Sequence, residues 1–93
     1  MGARFATERA ADMKILTFAW VRTQTGDSEF DYETETETVG ELLAELIATR
    51  PKWDTLAPRE AHIRCALNQQ FVERDTSLAN AQEVAFFPPV TGG

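Results

Sequence analysis

One apolar stripe constrains the fold of this chain more than any other feature of its sequence. The stripe begins at Val39 and continues at the spacing of a single helix face, with members at Leu42, Leu43, Leu46 and Ile47. Thr38 and Glu41 fit a capping box at the start of the helix, and Pro51 ends it. A helix with one apolar face needs one apolar surface to cover it, so the rest of the chain has to supply a sheet.

Five segments around this helix predict β-strands, because they are rich in β-branched and aromatic residues or alternate apolar with polar residues. Met13–Arg22 is apolar on both sides and predicts a strand buried within the sheet, followed by a turn over 23–27. Ser28–Thr34 alternates cleanly and predicts a half-buried strand paired back on the first. After the helix, the sequence predicts a loop over Lys52–Ala61 and then three strands, at Ile63–Leu67, from Phe71-Val72 onward and at Glu83–Phe87. A tight turn at Asn68-Gln69-Gln70 connects the first two of these strands.

The resulting order, β-β-α-β-β-β, predicts an α+β fold in which one mixed β-sheet packs on one main helix. We divide the chain into an N-terminal extension at residues 1–12, a folded domain at residues 13–87 and an extended tail at residues 88–93. The extension is Ala-rich, and we expect it to be disordered.

Charge and cysteine content exclude several classes of function. Nine Lys and Arg against fifteen Asp and Glu give a net charge of −6, which argues against nucleic acid and anionic membranes as partners. One cysteine, Cys65, and one histidine, His62, cannot build a structural zinc site. We expect no metal, a buried Cys65, a surface His62 and a cytoplasmic protein. The acidic run from Asp27 to Glu45 fits either a solvated face or a surface for an electropositive partner.

The last residues, Glu83–Gly93 (EVAFFPPVTGG), present a carboxylate in an unusual way. Pro88-Pro89 fixes the backbone and removes two N–H donors, so the strand cannot continue. Val90-Thr91 favours extended backbone, and Gly92-Gly93 can pass through a channel too narrow for any side chain. The tail therefore predicts a stiff arm whose slender tip suits another protein's active site.

Met13–Gly93 resembles the small, sulfur-carrier subunit of molybdopterin synthase, a ubiquitin-like β-grasp family. The residues that carry the resemblance are Lys14–Arg22 (KILTFAWVR), Leu67-Asn68-Gln69 and Glu83–Gly93. The resemblance implies that an E1-like enzyme uses ATP to adenylate the Gly93 carboxylate and that a sulfur donor converts it to a thiocarboxylate. The tail would then enter the large synthase subunit and give its sulfur to cyclic pyranopterin monophosphate.

The resemblance also implies how the carrier works with its partners. It implies no tightly bound cofactor and no catalysis by this chain alone, a heterotetramer with the large subunit, and a monomer when alone. Phe18, Phe71 and Phe87 would form an apolar docking patch beside the arm, although each also fits a core position.

Three alternatives stay open. Sulfur carriers for thiamine thiazole synthesis also end in Gly-Gly but lack the Phe-Phe-Pro-Pro lead-in. A ubiquitin-like modifier would instead join Gly93 to lysines of target proteins. In a plain interaction domain the terminus would have no role.

Overall fold

The computed structural model of the protein describes residues 11–89. Five strands form one mixed sheet with the spatial order β2-β1-β5-β3-β4. The strands are β1 (Ala11–Thr17), β2 (Glu29–Thr34), β3 (Arg64–Leu67), β4 (Gln70–Val72) and β5 (Glu83–Phe87). The helical segments are α1 (Ala19–Thr25), α2 (Val39–Thr49) and a 3₁₀ helix (Trp53–His62). None of the helices between residues 11 and 89 has the length and apolarity needed to cross a bilayer.

The first and last strands lie side by side in the middle of the sheet. β1 and β5 run parallel, with Ile15 opposite Val84, whereas β2 pairs antiparallel with β1 and β3 antiparallel with β5. The predicted pairing of the second strand back on the first is therefore confirmed. Because β1 and β5 are parallel, both end at the same edge of the sheet, which we call the tail end.

Helix α2 covers one face of the sheet, as its apolar stripe predicts. Val39, Leu42, Leu43 and Leu46 are fully buried against the sheet, and Ile47 packs at the margin. The hydroxyl of Thr38 accepts a hydrogen bond from the Glu41 amide at 3.1 Å, so the predicted N-cap is confirmed. The Glu41 carboxylate accepts from the amide of Glu37 at 2.9 Å, one residue before the position that a standard capping box uses.

The predicted strand over Met13–Arg22 is wrong beyond Thr17. The Phe18 amide still bonds to Phe86 O of β5 at 3.2 Å, but Ala19 takes a φ of 54° and turns the chain off the sheet. Helix α1 follows instead and ends at Gly26, which has a φ of 76°. The Gly26 amide donates a hydrogen bond to Arg22 O. The predicted turn over 23–27 is therefore in part the last turn of a helix.

Two other boundaries differ from the sequence-based prediction. β1 begins at Ala11, which pairs with Thr34, so the strand includes two residues that we had assigned to the extension. The segment predicted as a loop over Lys52–Ala61 contains most of the 3₁₀ helix. Trp53 and Leu56 lie three residues apart on that helix and are both fully buried, because a 3₁₀ helix repeats every three residues.

The tight turn between β3 and β4 is confirmed and also fixes the start of β5. Asn68 and Gln69 have positive φ values of 50° and 73°, as both central residues of a type I′ hairpin turn do. The Asn68 side-chain oxygen accepts hydrogen bonds from the amides of Gln82 and Glu83 at 2.8 and 3.0 Å. The turn thereby holds the beginning of the last strand.

Candidate functional site at the base of the tail

The face of the sheet opposite α2 is only partly apolar. Ala66, Ala85 and Phe87 form a small buried cluster there, with Leu16 packed against it. These side chains come from β1, β5 and β3, the central strands of the sheet. The base of the tail lies beside this open face, because Pro88 and Pro89, which follow the end of β5, share a groove with Ala66, Ala85 and Phe87.

An open groove of about 530 Å³ lies on this face beside the end of β5. Most of its lining is aromatic, alanine or proline, including Phe18, Ala66, Phe71, Ala85, Phe87 and Pro88, and two polar side chains, Gln69 and Glu83, complete it. Phe71 is 71% exposed and Phe18 41% exposed, and these are the only large exposed hydrophobic side chains within residues 11–89. Exposed aromatic side chains around a concave apolar surface are typical of a site that another protein covers.

The structure brings together five of the residues predicted for partner binding. Phe18, Phe71, Phe87, Pro88 and Pro89 all line the groove. Phe87 itself is only 8% exposed, because its ring packs against Phe71 with the centroids 5.4 Å apart. Phe71 and Phe18 therefore form the accessible part of the patch, and Phe87 supports Phe71 from below.

The remaining predicted site residues are Val90, Thr91, Gly92 and Gly93, and they lie outside the described residues. In the sequence they follow directly on Pro89, which lines the groove.

A series of side-chain contacts anchors β5 on the face of the sheet that α2 covers. Phe86 is fully buried, and the Trp53 ring meets it edge-on at 5.9 Å between centroids. The Trp53 indole Nε1 donates a hydrogen bond to Asp27 Oδ2 at 2.8 Å, and Arg50 Nε pairs with the same oxygen at 2.8 Å. The Arg50 hydrogen bond is the main reason why the pKa of Asp27 lies below its usual value.

A second groove of about 580 Å³ lies on the β4 side of Pro89. Its lining is more polar and includes Arg64 and Arg74, but Arg74 is engaged by the Glu60 carboxylate and by backbone oxygens. Cys65 also lines this groove and is 3% exposed, as predicted, and burial raises the pKa of its thiol. A thiol with a raised pKa is a poor nucleophile at neutral pH. The prediction of a surface His62 is also confirmed.

The sequence reading missed one part of this surface, the corner formed by α1 and the 3₁₀ helix. The guanidinium of Arg22 lies 5.5 Å from the centre of the Phe18 ring, and that of Arg59 lies 4.7 Å from the centre of the Trp20 ring. The one sequence feature that indicates helix α1 is Gly26, because glycine is a common residue directly after the end of a helix.

Two carboxylates of the acidic run from Asp27 to Glu45 form salt bridges. Asp27 pairs with Arg50, and Glu29 pairs with Lys14 at 2.9 Å on the open face of the sheet. The alternating carboxylates of β2 point to solvent, as the alternation of the strand predicts. A docking role for this run stays a prediction.

Comparison with known proteins identifies the family. Residues 15–93 match the model of the ThiS family, a match that covers both the sheet and the tail. The chain belongs to the ThiS family. It is 38% identical to the molybdopterin synthase sulfur carrier subunit of Escherichia coli (strain K12) over 87% of this chain and 99% of that protein.

Solved structures of other proteins share the fold. SAMP1, small archaeal modifier protein 1, from Haloferax volcanii superposes with a TM-score of 0.70 at 26% identity, over 89% of this chain and 100% of the other. Subunits 1 and 2 of the molybdopterin-converting factor from Helicobacter pylori were solved as a complex. A chain of that complex superposes with a TM-score of 0.58 at 20% identity, covering 89% of this chain and 100% of the other. The fold of this ThiS-family chain is therefore the ubiquitin-like β-grasp fold that the sequence predicts.

Proposed function

We propose that this chain is the sulfur carrier of molybdopterin synthase, with the carboxylate of Gly93 as its functional group. The domain holds the base of the tail, and the partner enzymes supply the catalytic groups. This proposal includes no tightly bound cofactor in the chain itself, because ATP is consumed by the adenylating partner. The proposed setting is the cytoplasm.

The chemistry at Gly93 proceeds in two substitutions. A carboxylate oxygen attacks the α-phosphorus of ATP in the E1-like enzyme, so an acyl adenylate forms and pyrophosphate leaves. A donor then supplies sulfur at the oxidation level of sulfide, which forms the carbon–sulfur bond as AMP leaves. The thiocarboxylate is a better nucleophile than the carboxylate, and its sulfur bonds to a carbon of cyclic pyranopterin monophosphate in the large subunit as an oxygen substituent leaves. Water then cleaves the bond between the Gly93 acyl carbon and the sulfur, which restores the carboxylate.

The observation that carries the proposal is the position of the exposed groove at the end of β5. Pro88 and Pro89 line the groove, and the four remaining residues of the tail follow them. A partner that covers Phe71 and Phe18 would therefore hold the base of the tail while the tip enters its active site. The identity to the sulfur carrier subunit of Escherichia coli over most of the chain supports the same role.

The adenylation step is tested by intact-mass measurement. The protein is incubated with ATP, a sulfur source and the E1-like enzyme of the same organism, and the expected product is heavier by the difference between sulfur and oxygen. A variant lacking Gly93 is the matched control, and it should fold normally and show no shift. An unshifted wild-type mass, with an enzyme that is active on another carrier, would contradict the proposal.

The proposed partner is the large synthase subunit, in a heterotetramer of two small and two large subunits. The complex of subunits 1 and 2 known for the Helicobacter pylori factor supports such a partner. Size-exclusion chromatography with light scattering should show a monomer for the chain alone and a heterotetramer after mixing. A mixture that elutes as separate components would contradict this part of the proposal.

Protein modification is the second candidate function, and the similarity to small archaeal modifier protein 1 favours it. The acyl adenylate that accepts sulfur could also transfer the Gly93 acyl group to a lysine amine. The same incubation, with cell extract added, would then give higher-mass conjugates on a denaturing gel. Their absence, together with a thiocarboxylate mass, would assign the chain to sulfur transfer alone.

A further inference from the structure

We propose that the α1 corner, defined as Phe18, Trp20, Arg22 and Arg59, extends the docking surface and pairs with carboxylates on the large synthase subunit. This inference rests on the proposed function, because it concerns the same partner. It adds a charged recognition element beside the apolar groove.

The α1 corner is continuous with the groove. Phe18 and Ala19 line the groove, and the next residue, Trp20, carries the guanidinium of Arg59 at 4.7 Å from its ring centre. Arg22 lies on the same helix, with its guanidinium 5.5 Å from the ring of Phe18. A partner that covers the groove would therefore meet both guanidinium groups at its margin.

The corner is locally basic in an acidic protein. The chain has a net charge of −6, yet residues 18–26 contain no Asp or Glu. The 3₁₀ helix carries two acids: Glu60 is paired with Arg74 at 3.0 Å, and Asp54 forms no salt bridge with Arg22 or Arg59. Within residues 11–89, no carboxylate lies within 4.0 Å of the side-chain nitrogens of Arg22 or Arg59. The complementary surface is therefore one that carries carboxylates.

Both guanidinium groups are held in place before any partner arrives. Stacking over an aromatic ring limits the rotamers of an arginine but leaves its N–H groups free to pair with a carboxylate. Arg22 is fixed further, because its Nε donates to Thr17 O at 3.2 Å. Side chains ordered in advance lose less conformational entropy on binding.

The backbone of the corner carries strain, which is a separate observation. Ala19 has a φ of 54°, a left-handed value that a residue with a Cβ rarely adopts. Strained residues persist where the surrounding structure holds them, and they concentrate at binding and catalytic sites. Here the strain turns α1 away from the sheet and presents Phe18 to the groove and Trp20 to Arg59.

The interface of this corner with the large subunit should have an apolar centre and a charged margin. Charges at a margin act mainly on the rate of association and on its dependence on salt. The proposal is therefore tested by association kinetics with purified large subunit of the same organism. Arg59→Glu reverses the charge at the corner, and Arg59→Lys keeps the charge but loses the planar stack.

The matched control is Lys52→Glu, which makes the same change in net charge at an exposed residue outside both grooves. Arg59→Glu should lower the association rate constant at least about fivefold at about 0.1 M salt and less than about twofold at about 1 M, because salt screens surface charge. Arg59→Lys should give an intermediate loss, and Lys52→Glu should stay within about twofold of wild type. Circular dichroism verifies that each variant is folded.

Two outcomes would overturn the inference. If Arg59→Glu and Lys52→Glu have equal effects, the corner takes no part in docking, although the proposed function stands. If the wild-type chain acquires a thiocarboxylate but does not bind the large subunit, the docking inference fails together with the proposed partner. The mass measurement, which does not involve the large subunit, distinguishes these failures from failure of the sulfur-carrier role.

Discussion

The indole nitrogen of Trp53 donates a hydrogen bond to Oδ2 of Asp27 at 2.8 Å, and this contact joins the 3₁₀ helix to the connection between α1 and β2. Arg50 pairs with the same carboxylate oxygen, and its guanidinium lies 3.5 Å from the centre of the Phe30 ring. Trp53 in turn meets Phe86 of the last strand. A carboxylate at the molecular surface is thereby connected with the strand from which the tail leaves.

Replacement of Asp27 by Asn should make the protein less stable at neutral pH. Hydrogen bonds to charged groups contribute more than neutral ones, so we expect the free energy of unfolding to fall by about 1 to 2 kcal/mol. Because the folded-state pKa of Asp27 is lowered, its contribution is present above the unfolded value of about 3.9 and is lost as pH falls through the folded value.

The stability difference between wild type and Asp27→Asn should therefore shrink as the pH falls below about 4. Urea unfolding at a series of pH values measures this difference. Glu35→Gln is the control, because Glu35 is solvent exposed, and it should change stability by less than about 0.5 kcal/mol. A difference that stays constant down to acid pH would show that the Asp27 carboxylate charge contributes nothing.

Replacement of Phe71 by Ala should separate binding from stability. The ring is largely exposed and its main packing partner is Phe87, so the loss of folding stability should be about 1 kcal/mol or less. Binding to the large subunit should weaken by about 2 kcal/mol, the cost of losing an aromatic anchor. Calorimetric titration measures the affinity, and an unchanged affinity would place the interface elsewhere.

Phe86→Ala is the companion variant, with the opposite expectation. Phe86 is fully buried against Trp53, so its truncation should lower the free energy of unfolding by about 3 to 5 kcal/mol. Chemical denaturation measures this change. A well-folded Phe86→Ala protein of near wild-type stability would contradict the anchoring of β5 described above.

Replacement of Phe87 by Ala should affect both properties. We expect a loss of about 2 kcal/mol or more in partner binding, because Phe87 supports the exposed ring of Phe71. Burial of the ring adds a loss of folding stability on the order of 3 kcal/mol. The two effects are separated by titrating the partner below the unfolding temperature of the variant, and unchanged affinity of the folded variant would restrict Phe87 to a core role.

Removal of the N-terminal extension should leave sulfur transfer intact. β1 begins at Ala11, so the deletion should end at residue 10 and keep Ala11 and Asp12 paired with Thr34 and Glu33. Deletion of residues 1–12 removes those pairs and should lower the unfolding temperature while sparing the docking groove. Loss of partner binding after the shorter deletion would assign the extension a role in docking.

The sequence predicts the elements whose pattern is local and unambiguous. The stripe from Val39 to Ile47, with its cap at Thr38, predicts α2 because period, cap and terminating proline agree. The last strand is predicted because Pro88 ends an apolar run, and the turn at Asn68 because asparagine tolerates a positive φ.

The sequence fails where tertiary structure overrides local pattern. Residues 18–22 are mostly apolar and rich in strand-forming residue types, but the chain leaves the sheet at Ala19. Helix α1 has no side-chain N-cap, so the sequence carries no signal for its start. The 3₁₀ helix contains Pro58, which lacks the backbone N–H that a helix interior uses. Its signal was the three-residue spacing of Trp53 and Leu56. The three rings of the docking patch could be named only through the family resemblance.

The parallel pairing of β1 and β5 has a practical consequence for handling this protein. β1 starts at the edge of the sheet opposite the tail end, and its seven residues span roughly 23 Å. An affinity tag, a fluorophore or a biosensor tether joined before Ala11 would be attached at the opposite edge of the sheet from Pro88 and Pro89, the base of the tail. The base of the tail would then stay accessible to the proposed partner enzymes while the protein is immobilised.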